Sequence, residues 1–264
     1  MISTELMGGI GNMMFQIAAI EAMGQQIGVP VYFADALKTI DRLSTAAPWT
    51  THSHEYLSIF KNFRWDKNLD IAEPPERVVK VPFAYRHFIP ENNTRYIGYF
   101  QSERYFENQR QYLLNLFTPS DMVVERLSKY DYLFDIPTCS VHVRRGNYLS
   151  LSHIHTVLDM NYYRRALSHK AVQMIGRFIV FSDDIQWCKS NFVGKKLVFI
   201  EDIDYICMFL MSRCDHHIIA NSSFSWFGAW LGSNPDKRTI GPQQWFNNDN
   251  KKAKDIIPWH WETV

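Results

Sequence analysis

The chain has 264 residues, 46% of them hydrophobic, enough for one large or two modest cores. Its 28 Lys and Arg against 27 Asp and Glu leave a formal charge of +1, which excludes a global field drawing it to nucleic acid or membrane, so any anion site must be local. No window reaches the ~18 uninterrupted apolar residues of a membrane span, the first residues lack a signal peptide's basic and apolar regions, and Cys139, Cys188, Cys207 and Cys214 have no paired metal-ligand spacing; a cytoplasmic protein with buried, reduced thiols is expected.

In chain order, the first half opens with a short strand ending at Leu6, a glycine turn, a helix over 12–27 and a strand over 29–33. A glycine turn between strand and helix leaves backbone N–H groups around Gly9, Gly11 and Asn12 free to face an anion or sugar; alternatively it only lets the two elements pack closely. Prolines and polar residues mark loops over 72–82 and 90–94. The loop-rich stretch from 34 to 96 carries Trp49, His52, His54, Tyr56, Tyr85 and His87, either sugar contacts or local packing. Residues 121–137 lead into the second half, and a boundary near Asp135 divides the chain into domains 1–135 and 136–264.

The second half alternates short apolar runs with amphipathic segments. Strands are expected over 138–144, 177–181, 197–200, 217–220 and 238–240, with helices over 162–174, 185–192, 205–214 and 224–232 between them. That is the pattern of βαβ units on a parallel sheet, a Rossmann-like half, so the fold class is α/β. The last helix-forming stretch is expected to cross back onto the first half.

Four places in this half bear on chemistry. The strand containing His142 ends in Arg144 and Arg145, where a turning backbone lets both guanidiniums converge on one anionic ligand. Ser182, Asp183 and Asp184 sit where a strand passes into a helix; a carboxylate there accepts a guanine edge or ribose hydroxyl, or else Ser182 or Asp183 caps the helix. Asp202 and Asp204 have the spacing of a metal-binding Asp-x-Asp but precede an apolar helix, so capping is the preferred account and no metal is expected. Asn221, Ser222, Ser223 and Phe224 open the next helix, where hydroxyls and unpaired N–H groups form a diphosphate cradle or ordinary caps.

Five segments in order, Gly8–Gln16, Gly98–Phe106, His142–Tyr148, Phe181–Asp184 with Trp187, and Asn221–Leu231, resemble the motifs of soluble bacterial α-1,2-fucosyltransferases. The resemblance implies a GT-B architecture, two facing Rossmann-like domains with the donor held mainly by the second and the acceptor by the first. It implies GDP-fucose as donor, a galactose-terminated glycan as acceptor, inversion at the anomeric carbon, and neither cofactor nor catalytic metal. By the same analogy Arg144 and Arg145 belong to the His-x-Arg-Arg motif, one gripping the donor diphosphate; His142 and Asp183 or Asp184 bind guanosine; Ser222, Ser223 and Phe224 line the pyrophosphate.

Two departures stand out. The family motif usually continues Gly-Asp-Tyr, whereas Asn147 stands at the acidic position, and an amide cannot act as a general base. Met13 and Phe227 also replace common family residues, Gln and Trp. Glu5, Glu103, His153, His155 and Asp159 are candidate replacement bases that also read as surface or capping groups, and a donor phosphate oxygen is the alternative proton acceptor. Asn147 is expected to hydrogen-bond the turn. A binding protein with weak or lost transfer, and a GT-B transferase of another nucleotide sugar, are the competing readings.

Overall fold

The computed structural model describes residues 1–34, 39–41, 52–63, 77–247 and 253–264. Two compact units result: Met1–Met122 with Lys254–Pro258, and Val123–Ala253 with Trp259–Val264.

The first unit carries β1 (Ile2–Glu5), α1 (Ile10–Ile27), β2 (Val31–Ala34), β3 (Arg77–Lys80), β4 (Thr94–Ile97) and α2 (Arg110–Leu116). Its sheet runs β2-β1-β4-β3, with every pairing parallel. Helix α1 is apolar over most of its circumference and buries Met13, Met14, Phe15, Ile17 and Ile20, as a helix packed on more than one side requires. It stops at Gly28, whose φ of 67° is left-handed and whose N–H returns to the Gly24 carbonyl. Strand β3 falls inside the expected 72–82 loop, which corrects that reading. Its four residues are mostly exposed, so no apolar alternation marks them.

The second unit opens within α3 (Asp121–Ser128), ahead of the boundary drawn at Asp135. Side chains explain the shift: Arg126 Nη1 donates to the Tyr205 hydroxyl at 2.5 Å, and Arg213 Nη1 donates to the Leu127 carbonyl at 3.3 Å. Then follow β5 (Thr138–Val143), α4 (Met160–Leu167), β6 (Arg177–Ser182), α5 (Ile185–Asn191), β7 (Leu197–Ile200), α6 (Asp204–Ser212), β8 (His216–Ile218), α7 (Ser223–Trp230), β9 (Thr239–Gly241) and β10 (Glu262–Thr263). All six strands pair in parallel in the order β10-β9-β8-β5-β6-β7.

Counted from β5, that order is that of a doubly wound sheet, in which the chain winds outward in one direction, returns, and winds in the other. Strand β5 is buried at every residue, as a central parallel strand covered on both faces must be. All four cysteines are buried and unpaired. Residues 254–258 rejoin the first unit, where Asp255 accepts from the Tyr85 backbone N–H at 3.3 Å and pairs with Arg104 at 3.3 Å.

Candidate active site

The winding reverses between β5 and β8, adjacent strands in register at Val141 and Ile218. At such a reversal the connections leaving the two C-terminal ends run to opposite sides of the sheet, which is where sheets of this kind hold ligands. Both segments singled out for anion chemistry emerge at this point. The turn after β5 carries Arg144 to Tyr148, and the turn after β8 carries Asn221 and Ser222 into α7, which begins at Ser223. Tyr148 Oη donates to the Asn221 carbonyl at 3.0 Å, and the His142 and Phe224 rings lie 5.4 Å apart, so the two turns meet.

The arginines are held rigidly. Arg144 Nη1 lies 2.9 Å from Asp183 Oδ2, its Nη2 donates to Asn147 Oδ1 at 2.6 Å, and its guanidinium lies 5.2 Å from the Tyr148 ring centre. Arg145 donates its backbone N–H to Asp183 Oδ1 at 2.8 Å and its Nε to Asp184 Oδ2 at 3.0 Å, while its guanidinium stacks 4.1 Å over Trp187. Among the described residues no protein group takes the terminal Nη atoms of Arg145. Asp184 also accepts from the Trp187 N–H and so caps α5. Both carboxylates therefore orient the arginines, and the cap expected at Ser182 or Asp183 falls instead on Asp184, which corrects that reading because α5 begins only at Ile185.

Burial and the neighbouring Arg144 press the His142 imidazole down to about 3, so it is neutral at ordinary pH; its Nδ1 is buried without a hydrogen-bond partner. Asn221 is fully buried and donates to the Thr156 and Trp245 carbonyls at 2.9 and 2.8 Å, leaving its own Oδ1 unpartnered. Ser222 is the extended N-cap of α7, yet its side chain makes no capping bond, so the first-turn N–H groups are not closed off by it. Ser225 turns inward to the Ser222 carbonyl at 3.3 Å. Trp226, Phe227 and Trp230 are buried and fix the helix, with Trp226 against Trp261 at 5.2 Å.

Other candidates resolve differently. Asp159 caps α4, accepting from the Asn161 and Tyr162 N–H groups. His155 stacks on Tyr148 at 4.1 Å with Phe246 also against it, and burial lowers its imidazole below the usual histidine range. Glu5 pairs with Arg95 at 3.3 Å. Neither aspartate of 202 and 204 is the N-cap of α6, which is Ile203; Asp202 accepts from the Tyr130 hydroxyl and the Ile203 N–H, which corrects the capping account.

In the first unit, Gly8 has a φ of +75°, and a Cβ there would lie 2.4 Å from Asn12 Nδ2. Gln101 Nε2 donates to Asn12 Oδ1 at 2.6 Å, and Gln16 bonds both the N–H and carbonyl of Met7. Helix α1 begins at Ile10, so Gly11 and Asn12 already lie in its first turn, and the Asn12 N–H is taken by the Gly9 carbonyl at 2.9 Å. Gly9 is the N-cap with open space where a Cβ would stand. The close-packing alternative thus accounts for Gly8 and Asn12. Tyr56 is fully buried, His52 pairs with Glu55 at 3.0 Å, and Tyr85 lies under Arg104 and 3.4 Å from His87. Trp49 lies outside the described residues.

Sequence reasoning placed Gly146 and Tyr148 inside the His142–Tyr148 motif but gave neither a role in the site. A Cβ on Gly146 would lie 2.4 Å from Asp183 Oδ2. The signal for the first was a glycine directly after the paired arginines, a residue that permits close approach.

A family model described as glycosyl transferase family 11 matches residues 3–264. An Alpha-1,2-colitosyltransferase of Escherichia coli is 30% identical over 295 residues, covering 100% of this chain and 98% of that protein. Galactoside alpha-(1,2)-fucosyltransferase 2 of Oryctolagus cuniculus is 27% identical over 246 residues, covering 85% of this chain and 65% of that one. Among solved structures, NodZ alpha-1,6-fucosyltransferase co-crystallised with GDP aligns with a TM-score of 0.57 at 14% identity, over 87% of this chain and 92% of that chain. This last likeness shows a shared fold.

Proposed function

This chain belongs to glycosyl transferase family 11, and from that premise we propose that it moves L-fucose from GDP-fucose to a galactoside hydroxyl, inverting the anomeric centre to give an α-1,2 linkage. The second unit holds the donor and the first the acceptor, the division of labour of a GT-B enzyme. The observation that carries the reading is that the turn bearing Arg144 and Arg145 meets the segment that opens α7, through Tyr148 on the Asn221 carbonyl and His142 against Phe224, where the sheet reverses its winding.

The chemistry needs that arrangement. As the bond between sugar and phosphate breaks, positive charge develops on the ring and negative charge on departing GDP. Fixed guanidiniums and helix-terminal N–H groups beside the diphosphate stabilise that separation without reorganising, the role a divalent metal plays elsewhere. Arg145 offers its terminal nitrogens to the diphosphate, with Ser222, Ser223 and the first turn of α7 on the other side. The unpartnered His142 Nδ1 and Asn221 Oδ1 supply buried groups that a bound nucleotide satisfies. Asp183 and Asp184 act through the arginines. The acceptor proton passes to a phosphate oxygen of GDP, since Asn147 has no basic side chain.

A second reading concerns the sugar. Because the relative aligned over the whole chain is named for colitose, which is L-fucose without its 3-hydroxyl, the GDP conjugate of colitose is the alternative donor. Linkage and anomer analysis of products from both donors, with a panel of β-galactosides, decides between them. Melting with GDP, UDP and ADP in parallel tests the nucleotide, since a native-state ligand stabilises in proportion to RT ln(1 + [L]/Kd). GDP raises Tm most in this account; preference for UDP contradicts it.

A further inference from the structure

We propose that Asn147 sets the electrical charge of the arginine clamp: it is a positioning residue that holds Arg144 by a hydrogen bond while leaving that guanidinium's charge available to a diphosphate. The proposal rests on the reading that this site takes a diphosphate. The two guanidiniums at the end of β5 already face two carboxylates, Asp183 on Arg144 and Asp184 on Arg145. Among the described residues, other titratable groups beside them are Tyr148, whose hydroxyl is raised to about 12 by burial, Tyr163 and Cys188, which burial also keeps protonated, and the imidazoles of His142 and His155, both pressed towards the neutral form. The cluster is therefore close to electroneutral before any ligand arrives.

The side chain at 147 is the third acceptor on this cluster, 2.6 Å from Arg144 Nη2. A carboxylate would make the same hydrogen bond, more strongly, but would add a whole negative charge beside a site that must receive a more highly charged anion. The amide oxygen fixes the same geometry without that charge. Its backbone serves the turn separately, the Asn147 carbonyl accepting from the Leu151 N–H and Ser150 Oγ, so the side chain is free for this role.

The test measures binding of GDP and of inorganic pyrophosphate to the unaltered protein, Asn147→Asp and Asn147→Leu, at low and high salt, alongside transfer rate and melting. Asn147→Asp is expected to fold and to bind both probes about tenfold more weakly at low salt, the deficit shrinking at high salt as the added charge is screened. Asn147→Leu keeps the charge and loses the hold on Arg144, so its affinity falls less than that of the Asp variant, with no change in salt dependence, while its kcat falls.

Equal losses in both variants, or undiminished pyrophosphate affinity in Asn147→Asp, overturn the proposal. A rise of several orders of magnitude in kcat for Asn147→Asp overturns it too, by assigning a missing general base to this position. If pyrophosphate binds and GDP does not, the donor assignment fails while the charge proposal is judged on pyrophosphate alone; if neither binds the unaltered protein, both fall.

Discussion

Gly146 has no room for a methyl group, because Asp183 occupies the place where it would stand. Adding one pushes Asp183 away from the Arg145 N–H and from Arg144, and so loosens the Arg144 guanidinium and the backbone that carries Arg145. Gly146→Ala should lower kcat while costing about 1–3 kcal/mol of stability, the usual range for a close-packed position. A variant with the unaltered rate would show that the carboxylate's position does not matter. Arg145→Ala should lower the transfer rate by about 100 to 1,000-fold, as removal of one transition-state donor does. Arg145→Lys should also fail, because a lysine keeps a charge but not the planar fork held between Asp184 and Trp187. At this scale the sequence disclosed the arginines through the abrupt end of an apolar run. It did not disclose what the acids do, since Asp183 and Asp184 carry the same chemistry whether they meet a ligand or an arginine, and only the chain's path decides which is nearer.

The elements were legible where their apolar pattern was long or continuous. Strands β5, β6 and β7 and helices α5 to α7 lie close to their expected places because each is apolar enough to be marked at both ends by polar residues. Strand β3 was hidden because an exposed four-residue edge strand has no alternation to read. Helix α7 also depends on its far end. Lys237 Nζ donates to the carbonyls of Ala229, Trp230 and Gly232 at 2.9, 3.2 and 2.6 Å, placing a cation on the negative pole of the helix dipole. Lys237→Ala should destabilise the protein by about 1–2 kcal/mol, lowering Tm by a few degrees for a chain of this size. Methionine at the same position fills the space without the charge, so equal melting of the Met variant and the unaltered protein would deny the electrostatic account. At Gly228 a Cβ would lie 2.9 Å from Met211 Cβ, which is why α6 and α7 approach so closely.

For the whole molecule, the alternating apolar runs announced the parallel sheet of the second unit but not the residue at which that unit begins. The side chains that assign α3 to the second unit reach residues far along the chain, a relation no local pattern contains. Stability against acid is a property of the same scale. His142 and His217 are buried with their imidazoles pushed below the usual value of 6.5, His142 to about 3, in both cases chiefly by desolvation. Between their folded and unfolded values the unfolded chain binds more protons, so stability is fully present above pH 6.5 and is lost as pH falls. At pH 5 His142 alone accounts for a loss of about 2 kcal/mol, with His217 adding in the same direction. Melting followed from pH 7.5 to 5, above the range where carboxylates titrate, should show Tm falling steadily; a flat or rising profile would contradict the burial of neutral imidazoles. In the function proposed above, the second unit clamps a guanosine diphosphate between the arginines after β5 and the mouth of α7. The most direct measurement of that clamp is calorimetric titration of GDP into the unaltered protein and into folded Arg145→Ala. Saturable one-to-one binding that weakens by at least about tenfold in the variant, the loss expected for one charge-assisted contact, is the predicted result. Equal affinity in the two proteins would contradict it.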